Sequence, residues 1–147
     1  MTAQRTTPAR IESLGPDEIF VFGSNDAGSH GAGAARTAYE RFGAVWGQGH
    51  GLQGRSYAVD TMSGREVMAR DVEALVATAD ENPHLTFLVT PIGTGIAGWS
   101  AHDVAPLFVD APENVVLPAA FLAVLDALPH GLSDGPNGID GGGPAGA

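Results

Sequence analysis

Two apolar runs in this chain, Ile19 to Phe22 and Leu85 to Ile92, each break off directly into bare backbone. After Phe22 comes GSNDAGSHGAGAAR, Gly23 to Arg36, and after Ile92 comes GTGIAGWS, Gly93 to Ser100. Glycine loses more conformational freedom on folding than any other residue, so its repeated use at strand ends points to close approach or unusual backbone. Runs of β-branched and aromatic residues read as buried strands. In layered α/β folds ligands sit beyond the carboxyl ends of such strands. The coincidence of strand end and glycine loop, found twice, is the strongest functional signal in the residues alone.

The rest of the chain alternates strands with helices. Ala34, Ala35, Ala38, Tyr39 and Phe42 recur at helical spacing, and Gly43 is placed to stop that helix. A second glycine cluster, GQGHGLQG from Gly47 to Gly54, reads as loop, and Ser56 to Thr61 as a strand. Ser63 and Glu66 fit a capping box opening a helix with Met68, Val72, Leu75, Val76 and Ala79 on one face. Residues 102 to 109 read as a short helix, with Asp103 as N-cap making Pro106 tolerable. Asn114 to Pro118 is a short strand and Ala119 to Leu128 a final helix. This alternation predicts an α/β fold with a mixed, mostly parallel sheet. The expected organisation is a loose lead-in over residues 1–16, one domain over 17–128 and a disordered glycine-rich tail over 129–147.

Composition narrows the chemistry. The 147 residues include seven arginines, no lysine and no cysteine. A lysine-bearing phosphate loop, a thiol nucleophile, disulfides and cysteine-ligated metals are therefore excluded. A formal net charge of −10 argues against polymeric nucleic acid, which needs a basic footprint. A small anion stays possible, because backbone N–H groups can hold one locally. The N-terminus has no apolar leader and no run is long enough to span a bilayer, so a soluble cytoplasmic protein is expected. Five histidines, at positions 30, 50, 84, 102 and 130, show no paired ligand spacing, so neither a metal site nor a cofactor is expected.

Gly31-Ala32-Gly33-Ala34-Ala35-Arg36 is a G-x-G-x-x pattern opening a helix, where N–H groups and the helix dipole favour a pyrophosphate. The dinucleotide fingerprint wants glycine where Arg36 stands and an acid about twenty residues on, so a conventional Rossmann site is not expected. The alternative is close packing of helix on sheet. Gly93 to Gly98 is either a tight turn or a second such loop. Asn25 is placed to bond a ligand hydroxyl or to cap the following turn. His30 and His50 lie inside glycine clusters, as ligand contacts or as plain loop residues. Gly98-Trp99-Ser100-Ala101-His102 falls one residue short of a nucleophile elbow, and Ser100 reads better as a helix cap.

A strand ending near Asn25, a Gly/Ala loop opening a helix, and a late strand running into PIGTGIAG together resemble the macrodomain, a module that binds ADP-ribose. The phrases IFVFGSN, HGAGAA, LQGRSYA and IAGWSAHDVAPLF are also similar to a narrower set of small phage and bacterial proteins with a macrodomain-like core. The resemblance covers roughly residues 17 to 122 and implies a three-layer α/β/α sandwich. It implies that Gly23 and Ser24 lead into the loop, that Asn25 faces the distal ribose, and that Gly31, Ala32, Gly33 and Ala34 wrap the diphosphate from one side. Gly93, Thr94, Gly95, Ile96, Ala97 and Gly98 would wrap it from the other, with Trp99 near the loop's end. Hydrolytic members carry an acid where Ala35 stands, or a lysine with an acid where Ala97 stands. The resemblance therefore implies binding more firmly than cleavage.

Three functions follow in order. The first is binding of ADP-ribose or a related NAD-derived nucleotide. The second is hydrolysis of an ADP-ribosyl bond or a nucleotide signal in the same pocket, where Asn25, Asp26, His30 or Asp60 would position water. The third is a protein-interaction module, such as a phage factor that sequesters a host protein.

Overall fold

Successive residues of a strand point to opposite faces, and the run at Ile19 is apolar on both. The computed structural model describes residues 5–128. In it Glu18–Ser24 forms β1, with Ile19 and Val21 in one buried cluster and Phe20 and Phe22 in another. A strand buried on both faces belongs in the middle of a sheet. β1 pairs in parallel with β3 (Ser56–Asp60) on one side and β4 (Thr86–Val89) on the other. β5 (Val115–Val116) extends the sheet in parallel beyond β4, and β2 (Gly51–Gln53) runs antiparallel along β3. The order is β2-β3-β1-β4-β5. This is an α/β fold with a mixed, mostly parallel sheet.

The helices divide between the two clusters. α1 (Gly33–Arg41) places Ala35 and Ala38 against Phe20, Phe22 and Ala58. α2 (Arg65–Glu81) sends Met68, Val72, Leu75 and Ala79 into the other cluster. That cluster also takes Val104 of α3 (Ala101–Val104), Phe108 of the following 3-10 turn and Phe121 of α4 (Ala119–Asp126). Gly43 follows the end of α1 with a φ of +78°, as its expected stopping role requires.

Several local expectations change. Ser63 does not cap α2: its hydroxyl donates to Oδ2 of Asp60 at 2.6 Å, and Gly64 takes the N-cap position with no side-chain bond. The N-cap of α3 is Ser100 and not Asp103. Ser100 Oγ accepts from the Asp103 N–H at 3.2 Å while Asp103 Oδ2 accepts from the Ser100 N–H at 2.9 Å. The Ser100 N–H, and the Ser100 hydroxyl at 3.0 Å, both donate to Asp103 Oδ2 and hold that carboxyl below its usual range. The expected helix over 102–109 is split, with Pro106 in the 3-10 turn Ala105–Phe108. The second glycine cluster, expected as loop, contains β2. Three residues framed by glycine carry too little strand signal to be read from pattern.

Residues 5–16, expected as a lead-in, attach at two places. Thr6 bridges Leu117 in parallel, and Thr7 donates its N–H to Leu117 O and its buried hydroxyl to Val116 O, both at 2.9 Å. Ile11 and Leu14 pack against the Phe20 cluster. The tail over 129–147 lies outside the described residues. Thr7→Val keeps the shape but removes a buried hydrogen bond to the Val116 carbonyl, a loss of about 1 kcal/mol. Thermal unfolding should show a melting temperature a few degrees lower; an unchanged melting temperature would mean these residues do not anchor the sheet.

Candidate functional site

The strand order fixes where a crevice must open. The chain leaves β1 through α1 toward β3, and leaves β4 through α3 toward β5 on the opposite side. α1 packs on one face of the sheet and α3 on the other, so the loops after β1 and β4 diverge. Such a divergence at strand carboxyl ends is where α/β sheets bind ligands. A cavity of about 520 Å³ lies there, within the range of small-molecule sites.

Its wall brings together most of the residues singled out in the sequence. Gly23, Ser24 and Asn25 come from the end of β1, and Gly31, Ala32, Gly33 and Ala34 from the approach to α1. Gly93, Gly95, Ile96 and Ala97 come from the loop after β4. Ala35 and Ile92 extend the two glycine loops on the wall, and Ser29, Thr61, Met62, Thr90 and Pro91, which complete it, carry no site signal in the sequence. Met62 arrives because the Thr61 N–H donates to the Ser24 carbonyl at 3.1 Å, which ties the end of β3 to the end of β1. Only a pairing register could have shown that. Past Ala34, Thr90 and Pro91 the cavity adjoins a second hollow of about 430 Å³, whose wall adds Arg10, Ile11 and Arg41. A larger hollow of about 770 Å³ lies by Asp80, Phe108, Asn114 and β5 and shares no wall residue with this cavity.

The other candidates are placed elsewhere. Asp26 is exposed and off the wall. His30 is fully buried: Nε2 donates to the Val45 carbonyl at 2.8 Å, which leaves Nδ1 to accept from the Ser24 hydroxyl at 3.3 Å. Asp60 closes the turn after β3, accepting from the Met62 N–H at 3.0 Å and the Ser63 hydroxyl. Thr94 is off the wall, its hydroxyl donating to Pro91 O at 2.7 Å, and Gly98 is off it too. Trp99 turns inward, donating from Nε1 to Thr61 O at 2.8 Å and packing on the α2 side of the core. Asn25 closes its own loop: Oδ1 accepts from Ser29 N–H at 2.9 Å and Nδ2 donates to Ser29 O at 3.0 Å.

What remains on the wall is backbone. The N-cap of α1 is Ala32, which supplies no side-chain cap, and no acid occupies the first turn. The N–H groups of Gly33, Ala34 and Ala35 therefore have no acceptor among the described residues. Across the cavity the N–H groups of Gly95, Ile96 and Ala97 also lack one. No charged side chain lines the wall. Two sets of unmatched donors around an uncharged cavity suit an anion. No family model, curated protein or solved structure matches the chain.

The Asn25 loop depends on a close backbone approach, since a Cβ at Gly49 would overlap the Asn25 carbonyl oxygen. Gly49→Ala should destabilise the protein by about 1–3 kcal/mol through forced displacement. Gly95→Ala, with open space around its Cβ, should change stability by no more than about 0.5 kcal/mol. Urea denaturation of the two variants checks this; equal midpoints would contradict the contact.

Proposed function

We propose that the cavity binds ADP-ribose or a related NAD-derived nucleotide, with its diphosphate held between the amino end of α1 and the loop after β4. The observation that carries this is the pair of unpartnered N–H sets, Gly33 to Ala35 and Gly95 to Ala97, on one uncharged wall. Helix amino ends hold phosphate by donors and dipole together, with no basic side chain needed. The macrodomain resemblance points the same way. The separate clusters on either side of β1 support its three-layer arrangement. The hollow past Ala34 gives an extended ligand room at one end. Among the described residues no helix is long and apolar enough to cross a membrane, and a nucleotide of this kind suits a cytoplasmic protein.

Binding is favoured over cleavage by the wall itself. Asp26, His30 and Asp60 lie off it, and Asn25 spends its amide on Ser29. Titration calorimetry should show saturable micromolar binding of ADP-ribose, about −8 kcal/mol, in preference to AMP and NAD as comparators. Gly95→Glu places a carboxylate among the donors without strain, because its Cβ meets open space. It should weaken binding at least tenfold while the melting temperature holds. Gly33→Glu is the less clean variant, since φ of +61° adds strain of about 1–2 kcal/mol. Absence of heat with all three ligands, or full affinity in Gly95→Glu, would overturn the reading.

A further inference from the structure

At Gly31 the cavity wall meets two aromatic rings outside both buried clusters. Trp46 is 53% exposed and Tyr39 46%, and their centroids lie 5.3 Å apart at an interplanar angle of 72°. A Cβ on Gly31 would sit 3.9 Å from Cη2 of Trp46, so the indole lies just behind this wall residue, outside the cavity lining itself. The rings are held from beneath by His30, whose centroid is 6.0 Å from Trp46 and 6.4 Å from Tyr39. His30 is in turn fixed by Val45 O and by the hydroxyl of Ser24, itself a wall residue. Hydrogen bonds thus tie the cavity wall to His30, and ring contacts carry on from His30 to Trp46 and Tyr39. Leaving a tryptophan half in water forgoes much of the gain from burying it. The half-exposed indole, with Tyr39 set at a steep angle against it, offers one flat apolar face beside a nucleotide-sized cavity, where a ligand would emerge.

We propose that Trp46, backed by Tyr39, is a stacking face for a planar nitrogen heterocycle on the end of the bound nucleotide that leaves the cavity past Gly31. The proposal rests on the nucleotide reading above. Adenine and nicotinamide share the required chemistry, a flat π-system on a ribose. The other end of the ligand then runs past Ala34 into the second hollow, whose wall carries Arg10, Glu12, Glu40 and Arg41. A cover for His30 alone would need only apolar bulk, whereas stacking needs an aromatic plane.

The test titrates the full-length protein, Trp46→Ala and Trp46→Phe with inorganic diphosphate, nicotinamide mononucleotide, ADP-ribose and NAD. Trp46→Ala should weaken one or more of the ring-bearing ligands about tenfold, within the range for loss of a stacked base. Diphosphate should be unaffected, and Trp46→Phe should recover most of the loss. A loss for nicotinamide mononucleotide but not ADP-ribose assigns nicotinamide to the face, and the reverse assigns adenine. Tryptophan emission should also be quenched when the wild type is saturated with the affected ligand, and not when Trp46→Phe is. Unchanged affinity for every ring-bearing ligand, equal weakening that includes diphosphate, or no quenching would overturn the stacking face while leaving the pocket intact. Failure of every probe to bind the wild type would overturn the nucleotide reading and this proposal with it.

Discussion

β1 hydrogen-bonds to β3 along one edge and to β4 along the other, and it is buried above and below. That one strand sets the position of everything at the site. Its carboxyl end delivers Gly23 to Asn25, its pairing with β4 brings Gly93 to Ala97 alongside, and its pairing with β3 brings Thr61 and Met62. Because the chain turns toward opposite edges after β1 and β4, neither loop covers the other's strand end. The crevice is a consequence of the strand order. What fills its wall is a consequence of glycine and alanine, which leave main-chain donors uncovered.

Most of the architecture was legible from pattern. The Ile19 and Leu85 runs, the apolar face of α2 and the glycine loops at strand ends all sit where periodicity and composition put them. Local partnerships were less legible, because one polar side chain commonly has two suitors. Ser63 could bond backward to Asp60 or forward into the helix, and it bonds backward. Asn25 could face a ligand or close its turn, and it closes the turn. Trp99 follows a loop of open backbone, yet its N–H finds Thr61 O and its ring joins the core. β2 and the packing of residues 5–16 depend on partners far away in the chain, which no local window contains. Ser29 and Met62 reached the wall for the same reason.

The charge distribution explains how an acidic protein could hold an anion. Its net charge of −10 opposes anionic ligands at long range, but the wall carries no charged side chain. Over contact distances in a partly dry cavity, oriented N–H dipoles outweigh distant carboxylates that water and salt screen. Such a site discriminates by shape and donor direction more than by charge.

The most direct test of the central claim is an amide NMR titration of nitrogen-15-labelled protein with ADP-ribose. With the diphosphate between the two loops, the N–H signals of Gly33 to Ala35 and Gly95 to Ala97 should shift together, downfield, and saturate at one affinity. Those six amides standing still while the protein binds elsewhere, or no shift anywhere, would contradict it.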